Sequence, residues 1–419
     1  VRRRRYDVVV IGAGTAGLVA ATRLAQSGAE VCLLAKGVGS THLAPGTIDV
    51  LGYAPERVDA PAAAVAELAR RQPDHPYALL VPTLQAAADW FIATAAGGAL
   101  PGYHYVGSLD HNLLLPTAIG ALKPSALVPE TFAGGESQQL KRVTVVGTSL
   151  LRDFHPSLCA ENLRAVGIEA TSIAIEIEAD RADASTLGLA RRFDDPGWRA
   201  AFSARLAPLI KAADHVALPA MLGLEDPHSV LTDLQSRLGR RVFEIPTLPP
   251  SVPGMRLFEI LRQALLAADG RLALGAGVVA HRRDGERVVS VDTATAGSNT
   301  TYEAGAFVLA SGGFHSGAIT LDSHWQPHEM LLDLPLRGVP GPDEPRFLPS
   351  YFDEQPLARA GVAVDAELRA QGTTNVFVAG ASLPGSVAWQ EASGEGIALA
   401  SGYRAAQGAA AQLGERMAA

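Results

Sequence analysis

The chain has 419 residues, 48% of them hydrophobic, with 35 Lys and Arg against 43 Asp and Glu for a net charge of −8. That length and apolar content can bury a large core divided between two domains, and the acidic balance leaves no basic footprint for nucleic acid. Two cysteines, Cys32 and Cys159, cannot supply a four-cysteine iron–sulfur site or a disulfide framework.

Arg2 to Arg5 followed by an apolar run mimics a secretory leader, but the run from Tyr6 to Ile11 reads as the first strand of a nucleotide fold, so the arginines are expected as a solvated, frayed terminus. The strand feeds into Gly12-Ala13-Gly14-Thr15-Ala16-Gly17, and an Ala-rich amphipathic helix follows from Leu18 to Gln26. Strand, glycine turn and helix in that order are the context the dinucleotide fingerprint needs. Gly12 permits the tight turn, Gly14 lets the backbone approach a phosphate, and Gly17 lets helix and strand pack closely. The helix N-terminus then offers unpaired N–H groups to an anion.

The second strand, Glu30 to Leu34, should end in an acid that holds an adenosine ribose. Ala35 and Lys36 stand there instead. Lys36 can attract a phosphate, so the pattern favours a mononucleotide such as FMN over FAD. The hydroxyl-rich loop from Gly37 to Thr47 offers Ser40, Thr41 and Gly46 as cofactor contacts and His42 as a base.

Helices are predicted near Ala60–Arg71 and Thr83–Ala96. Tyr103 to Glu130 reads as irregular, with Pro116, Pro124 and Pro129 breaking it. Strands are predicted over Arg142–Gly147, Glu169–Ile177 and His215–Leu218, and helices over Leu150–Val166, Trp198–Ala212 and His228–Leu238. This alternation suggests a second α/β unit inserted into the first. Glu244 to Arg256 is a proline-dense crossing that stays extended until Ser251 or Pro253 opens a helix. Short β signals run from Arg271 to Val291, with a turn at Asp284-Gly285. Phe307 to Gly313 and Val376 to Gly380 read as buried strands ending in glycines, and a helix spans Gly396–Gln412. The predicted fold is α/β: a Rossmann-like flavin-binding domain from residues 1–100 and 251–419, with an α/β capping domain inserted over 101–250. No stretch reaches the roughly 18 uninterrupted apolar residues expected of a membrane span.

Further cofactor candidates close the later strands (Ser311, Gly312 and Gly380) and open the last helix (Gly394, Gly396 and Ile397). Glu395 places a negative charge among them, which favours the helix but opposes an anionic flavin. A phosphate-bearing substrate wants an arginine in a dry pocket, and Arg256, with its rigid proline lead-in, is the first candidate. His324 and His328 have i,i+4 spacing, but Pro327 argues against a helix and no third ligand is evident, so no metal site is expected.

Several motifs together resemble one family. They are the Gly12 fingerprint, His42-x-x-x-Gly46-x-Ile48-Asp49-Val50-Leu51, His75-Pro76-Tyr77, Pro246-Thr247-Leu248-Pro249-Pro250-Ser251-Val252-x-Gly254-x-Arg256-Leu257, Leu309-Ala310-Ser311-Gly312, Gln355-Pro356, and Gly361-Val362-x-x-Asp365-x-x-Leu368-Arg369. Spread in order over most of the chain, they resemble the B subunit of anaerobic glycerol-3-phosphate dehydrogenase, a relative of the fumarate reductase and succinate dehydrogenase flavoproteins. The proline segment is the most specific of these motifs. The resemblance implies an FMN-carrying component of a three-part enzyme that oxidises glycerol 3-phosphate to dihydroxyacetone phosphate and passes electrons to quinone. It implies a second flavoprotein and an iron–sulfur protein as partner subunits. It also implies a cytoplasmic placement, with membrane contact only through a partner. An electron-relay or assembly role, and a stand-alone fumarate-reductase-like dehydrogenase, are the rival readings.

Overall fold

A computed structural model of the chain describes residues 2–177, 185–210, 213–295, 298–341 and 343–418. The N-terminal segment forms β1 (Arg2–Ile11), α1 (Thr15–Gln26), β2 (Val31–Ala35), α2 (Pro61–Arg71) and α3 (Tyr77–Ala95). The middle forms β3 (Arg142–Gly147), α4 (Pro156–Ala165), β4 (Glu169–Ala174), β5 (His215–Pro219), α5 (Pro227–Leu238) and β6 (Arg241–Ile245). The remainder forms α6 (Val252–Ala267), β7 (Arg271–Leu274), β8 (Gly277–Asp284), β9 (Arg287–Thr295), β10 (Ser298–Leu309), β11 (Val376–Val378) and α7 (Gly394–Ala418).

Two sheets organise these elements. The larger has the order β7-β2-β1-β10-β9-β8, with β11 also on β10. Its β7, β2, β1, β10 and β11 pairings are parallel, and β8–β9–β10 is an antiparallel ribbon. The parallel strands are apolar on both faces: Val8, Val9, Val10, Cys32, Leu33, Leu34, Val308 and Leu309 are buried, as a sheet covered on both sides requires. Helices α1 and α7 pack against each other, with α3 on α7 and α6 on α1. The smaller sheet, β6-β5-β3-β4, is wholly parallel and has its own core of Val145, Leu163, Phe193, Phe202, Val216, Leu218, Leu234 and Phe243. Its strands all come from the middle of the chain.

Local chemistry sets the helix ends. In α5 the Asp226 carboxylate accepts from Ser229 N at 3.1 Å, Pro227 fills the first position and Gly239 ends the helix at φ 62°. In α6, Ser251 Oγ accepts from Gly254 N at 3.1 Å, so the helix after the proline crossing opens at Ser251.

Several elements differ from the sequence expectation. Arg2 to Arg5 are not frayed: they extend β1 and pair with Thr300–Glu303 of β10. Tyr103–Glu130 is not wholly irregular; it holds two short antiparallel pairs, Tyr105–Gly107 with Leu127–Pro129 and Leu113–Pro116 with Leu122–Ser125. Prolines there sit at strand ends or in two-strand pairs, where a missing N–H costs little. The helix expected over Leu150–Val166 starts at Pro156, and that expected over Trp198–Ala212 runs Pro196–Leu206; residues 211 and 212 lie outside the described residues. His324 and His328 lie in a hairpin, not on a helix, because Pro327 starts the strand Pro327–Glu329. Helix α3 is long and apolar enough to cross a membrane by length and composition, yet it carries Asp89 and buries Tyr77, Leu80, Leu84, Ala87, Ala88, Phe91 and Ala95 against the rest of the chain.

Candidate functional site

The three fingerprint glycines have different reasons to be glycine. Gly12 stands at φ 113°, and a Cβ there would come 2.2 Å from the Ala310 carbonyl oxygen at the end of β10. A Cβ on Gly17 would come 1.8 Å from the Gly12 carbonyl oxygen, so α1 can approach the turn only without a side chain. Gly14 is ordinary in both respects: it is extended at φ −74°, ψ 179°, and a Cβ there would meet no atom within 4 Å. Neither strain nor packing requires glycine at that point. Gly14 is also the N-cap of α1, which has no side-chain cap and no acidic residue in its first turn. The N-terminal N–H groups and the positive end of the helix dipole thus face an open cradle suited to an anion.

The loop after β2 folds onto this turn. A Cβ on Gly39 would come 3.0 Å from Gly14 N, so residue 39 lies against the glycine turn. The proline crossing anchors the same loop. Ser251 N donates to the His42 carbonyl at 3.0 Å, a Cβ on Gly254 would come 2.1 Å from the Thr41 carbonyl oxygen, and Gly46, at φ 81°, sits against Pro253. Tyr105 Oη donates to the Gly46 carbonyl at 2.6 Å. The loop is thereby built into the start of α6.

Around the cradle, Thr41 Oγ1, His42 Nε2 and Ser311 Oγ are buried polar atoms without a hydrogen-bond partner in the polypeptide, while the Thr15 hydroxyl and the Glu395 carboxyl act on each other. Each such group costs about 1–3 kcal/mol if left unmet. Their convergence with the Gly14 opening fits a phosphate-bearing flavin with many polar edges. Ser311 and Gly312, the latter at φ 87°, follow β10, and Gly380, at φ 71°, follows β11 with its N–H donating to Ser401 Oγ at 2.8 Å. Ala13 and Ala16 are buried, while Lys36 and Ser40 are exposed. His42 is edge-on to Phe258 at 4.9 Å, and burial lowers its pKa, which favours the neutral imidazole.

Sequence reasoning missed a polar cluster beside the cradle. The buried Asp49 carboxylate accepts from Thr47 Oγ1 at 2.8 Å and Ser125 Oγ at 2.5 Å, and it pairs with Lys123. Asp49 and Lys123 both act on Glu395. Burial raises the Glu395 carboxyl from 4.5 to about 7, with Asp49 adding to the rise while the Thr15 hydroxyl and Lys123 oppose it. Asp49 and Lys123 lie 74 residues apart, and no spacing rule links them. A second clasp ties α3 to the approach to α7: His75 Nε2 lies 3.2 Å from Glu391 Oε2, which also accepts from Ser393 Oγ at 2.7 Å.

Glu395 gives a pH test. An acid with a raised folded pKa binds its proton more tightly in the native state. Below 4.5 it has no effect, stability falls as pH rises from 4.5 to about 7, and the full penalty stands above 7. Glu395→Gln is expected to flatten that fall in the cofactor-free chain. Urea midpoints at several pH values across this window check it; parallel curves for both proteins would contradict it.

Three expected contacts have a different setting. Arg256 is fully buried: its Nη1 and Nη2 donate to Glu244 at 2.6 and 3.1 Å, and its Nε and Nη2 donate to the Gly223 carbonyl at 2.9 and 2.6 Å. Burial by itself disfavours its charge, but Glu244, together with Tyr103, more than restores it and raises the pKa. The guanidinium is committed to tying α6 to β6 and the turn after β5, and it is not presented to a substrate phosphate. Gly396 N donates to the Asp49 carbonyl at 2.9 Å, and Ile397 N donates to the Ser393 carbonyl at 3.0 Å, so both N–H groups are spent within the chain. Gly396 serves packing, since a Cβ there would come 2.6 Å from Val50 Cα. Gly394 remains open at the helix entry, with only Ala388 Cβ near, at 3.5 Å from an added Cβ.

A glycine turn at the end of a central parallel strand, an uncapped helix start behind it and an inserted second sheet define a nucleotide-cofactor protein of the flavoprotein type. In agreement, the model of the FAD binding domain family matches residues 7–397. The chain is 31% identical to the B subunit of anaerobic glycerol-3-phosphate dehydrogenase from Yersinia enterocolitica, over 95% of this chain and 96% of the relative. It is 32% identical to the probable B subunit from Halobacterium salinarum, over 96% and 97%. The chain belongs to the B-subunit family of anaerobic glycerol-3-phosphate dehydrogenase. Among solved structures, it matches the open conformation of a flavocytochrome c3 fumarate reductase at 10% identity and a TM-score of 0.47, covering 98% of this chain and 79% of that one.

Proposed function

We propose that the chain is the flavin-carrying component of a multi-subunit glycerol-3-phosphate dehydrogenase, holding FMN at the N-terminus of α1. The observation that carries this is Gly14, a glycine in relaxed geometry facing open space at an uncapped helix start. Ala35 and Lys36 in place of a ribose-binding acid support FMN over FAD, whereas the match of residues 7–397 to the FAD binding domain family supports FAD. When bound, the flavin accepts a hydride from a carbon donor and passes electrons on. The chain's own part is to seat the phosphate on α1, to close the loop 37–46 over the turn, and to keep a neutral His42 and the Asp49–Lys123–Glu395 group at the edge of the cradle. In the complex, glycerol 3-phosphate is oxidised to dihydroxyacetone phosphate, and a second flavoprotein and an iron–sulfur protein complete the path to quinone.

A second reading gives this chain electron transfer alone and leaves substrate to the sister flavoprotein. The enclosure of Arg256 by Glu244 favours it, because that arginine is not free for a phosphate. The test is to purify the chain, release the cofactor by heat and identify it by chromatography. FMN is expected; FAD would overturn the mononucleotide assignment, and a colourless protein after reconstitution would overturn the flavin assignment. Anaerobic addition of glycerol 3-phosphate to the flavin-loaded chain then separates the two readings: bleaching supports substrate oxidation here, and its absence, with bleaching once the partner proteins are added, supports the relay.

A further inference from the structure

Away from the cradle, His104, Glu130 and His228 converge on one point, with one ligand atom from each within 4.8 Å of the others. Their convergence follows from the fold. Tyr105 pairs with Pro129 in the short antiparallel ladder, so His104 and Glu130 are the next neighbours along it, and Glu130 N donates to the His104 carbonyl at 3.0 Å. His228 arrives from the smaller-sheet unit as the second residue of α5, where the Asp226 cap and Pro227 fix the chain direction. Its ring lies over Gly102, at φ 71°; a Cβ there would come 2.6 Å from His228 Cδ2, so this glycine makes room for the imidazole.

We propose that these three residues form a binding site for a divalent transition metal of the zinc type. His228 Nδ1 lies 3.0 Å from both Glu130 oxygens, and His104 Nδ1 lies 3.6 Å from Oε2. Ligand atoms about 2.0–2.2 Å from a tetrahedral zinc stand roughly 3.3–3.6 Å apart, so the two separations from Glu130 span what the ion needs, and the third, between the imidazoles, is within 4.8 Å. Two imidazoles and one carboxylate are a donor set that suits zinc and cobalt over magnesium or calcium. The Glu130 side chain is 10% exposed, while the His104 and His228 side chains are 44% and 38% exposed. The carboxylate is therefore held in the protein while the imidazole side opens to solvent, leaving room for water as a fourth ligand. His104 Nδ1 also lies 2.9 Å from the Gly102 carbonyl, so metal entry displaces that contact along with the protons now held on the ring nitrogens. The ion would join the ladder to the first turn of α5 and so cross-link segments from the two parts of the fold.

The competing account is a plain ion pair between the carboxylate and protonated imidazoles. The full-length, tag-free chain, stripped with chelator, is titrated with Zn2+ against a chromophoric competitor. One equivalent is expected to bind, with proton release and a rise in Tm. His104→Ala and His228→Ala are each expected to weaken it at least about tenfold. His328→Ala, in the exposed pair with Asp322 at 3.1 Å, is expected to leave it unchanged. Co2+ with the unmodified chain provides a readout that needs no variant, because a four- or five-coordinate site gives a strong visible band. No stoichiometric Zn2+ binding, binding that survives both histidine substitutions, binding lost with His328→Ala, or a purely six-coordinate Co2+ spectrum would each overturn the site.

Discussion

Gly17→Ala is expected to strip the chain of flavin and to lower its stability by about 2–4 kcal/mol, whereas Gly14→Ala is expected to strip the flavin while leaving stability within about 1 kcal/mol of the parent. The two glycines are three residues apart in one turn, and the contrast follows from what surrounds them. An added methyl at Gly17 lands 1.8 Å from the Gly12 carbonyl oxygen, which is backbone and cannot swing aside. Helix α1 must lift from the turn, and its buried face, including Leu18, Val19 and Leu24, loses packing. At Gly14 the methyl enters open space at an allowed φ of −74°. Only a guest whose phosphate approaches that backbone feels it. Flavin absorbance per chain and urea unfolding of both variants, each with and without cofactor, check the pair. A Gly14→Ala protein that retains full flavin affinity would remove the main support for the cradle.

Glu244→Gln is expected to cost about 3–5 kcal/mol, because it leaves the charge of a fully buried Arg256 without its counter-ion. Arg256→Met is expected to be similarly damaging from the other side, since the Glu244 carboxylate would then be buried with the Leu222 N–H, at 2.6 Å, as its remaining bond. The double variant, Glu244→Gln with Arg256→Met, is expected to be less destabilised than the sum of the singles, because no unpaired charge remains. The pair ties α6 to β6, and α6 anchors the loop 37–46. Loss of flavin should therefore accompany loss of stability in the single variants. Chemical denaturation of all four proteins measures the coupling; strict additivity would mean that the two side chains do not act as a pair.

Much of the frame was legible from residue order. The valine run into Gly12-x-Gly14-x-x-Gly17 specified strand, turn and helix because each demand is local. The buried strands ending at Leu309 and Val378 were legible as short apolar runs closed by glycine. The site was harder to read. Arg256 drew attention because arginine suits phosphate, but its bonds go to Glu244, twelve residues earlier, and to a carbonyl at Gly223. Nothing in the local pattern distinguishes an arginine aimed at a ligand from one locked in an ion pair. Asp49, Lys123 and Ser125 meet because Ile48 bridges to Leu127, just beyond the strand Leu122–Ser125. Gly396 could be identified as a close-approach glycine, but not what approached it: Val50 and Tyr77 fill the space that a ligand had been expected to take.

The loop from Gly37 to Gly46 is shaped before any guest arrives, since Ser251, Pro253, Gly254 and Tyr105 hold its carbonyls and turns in place. A molecule settling there surrenders its own freedom but does not have to freeze a floppy partner. Tight retention can then be achieved with few direct contacts.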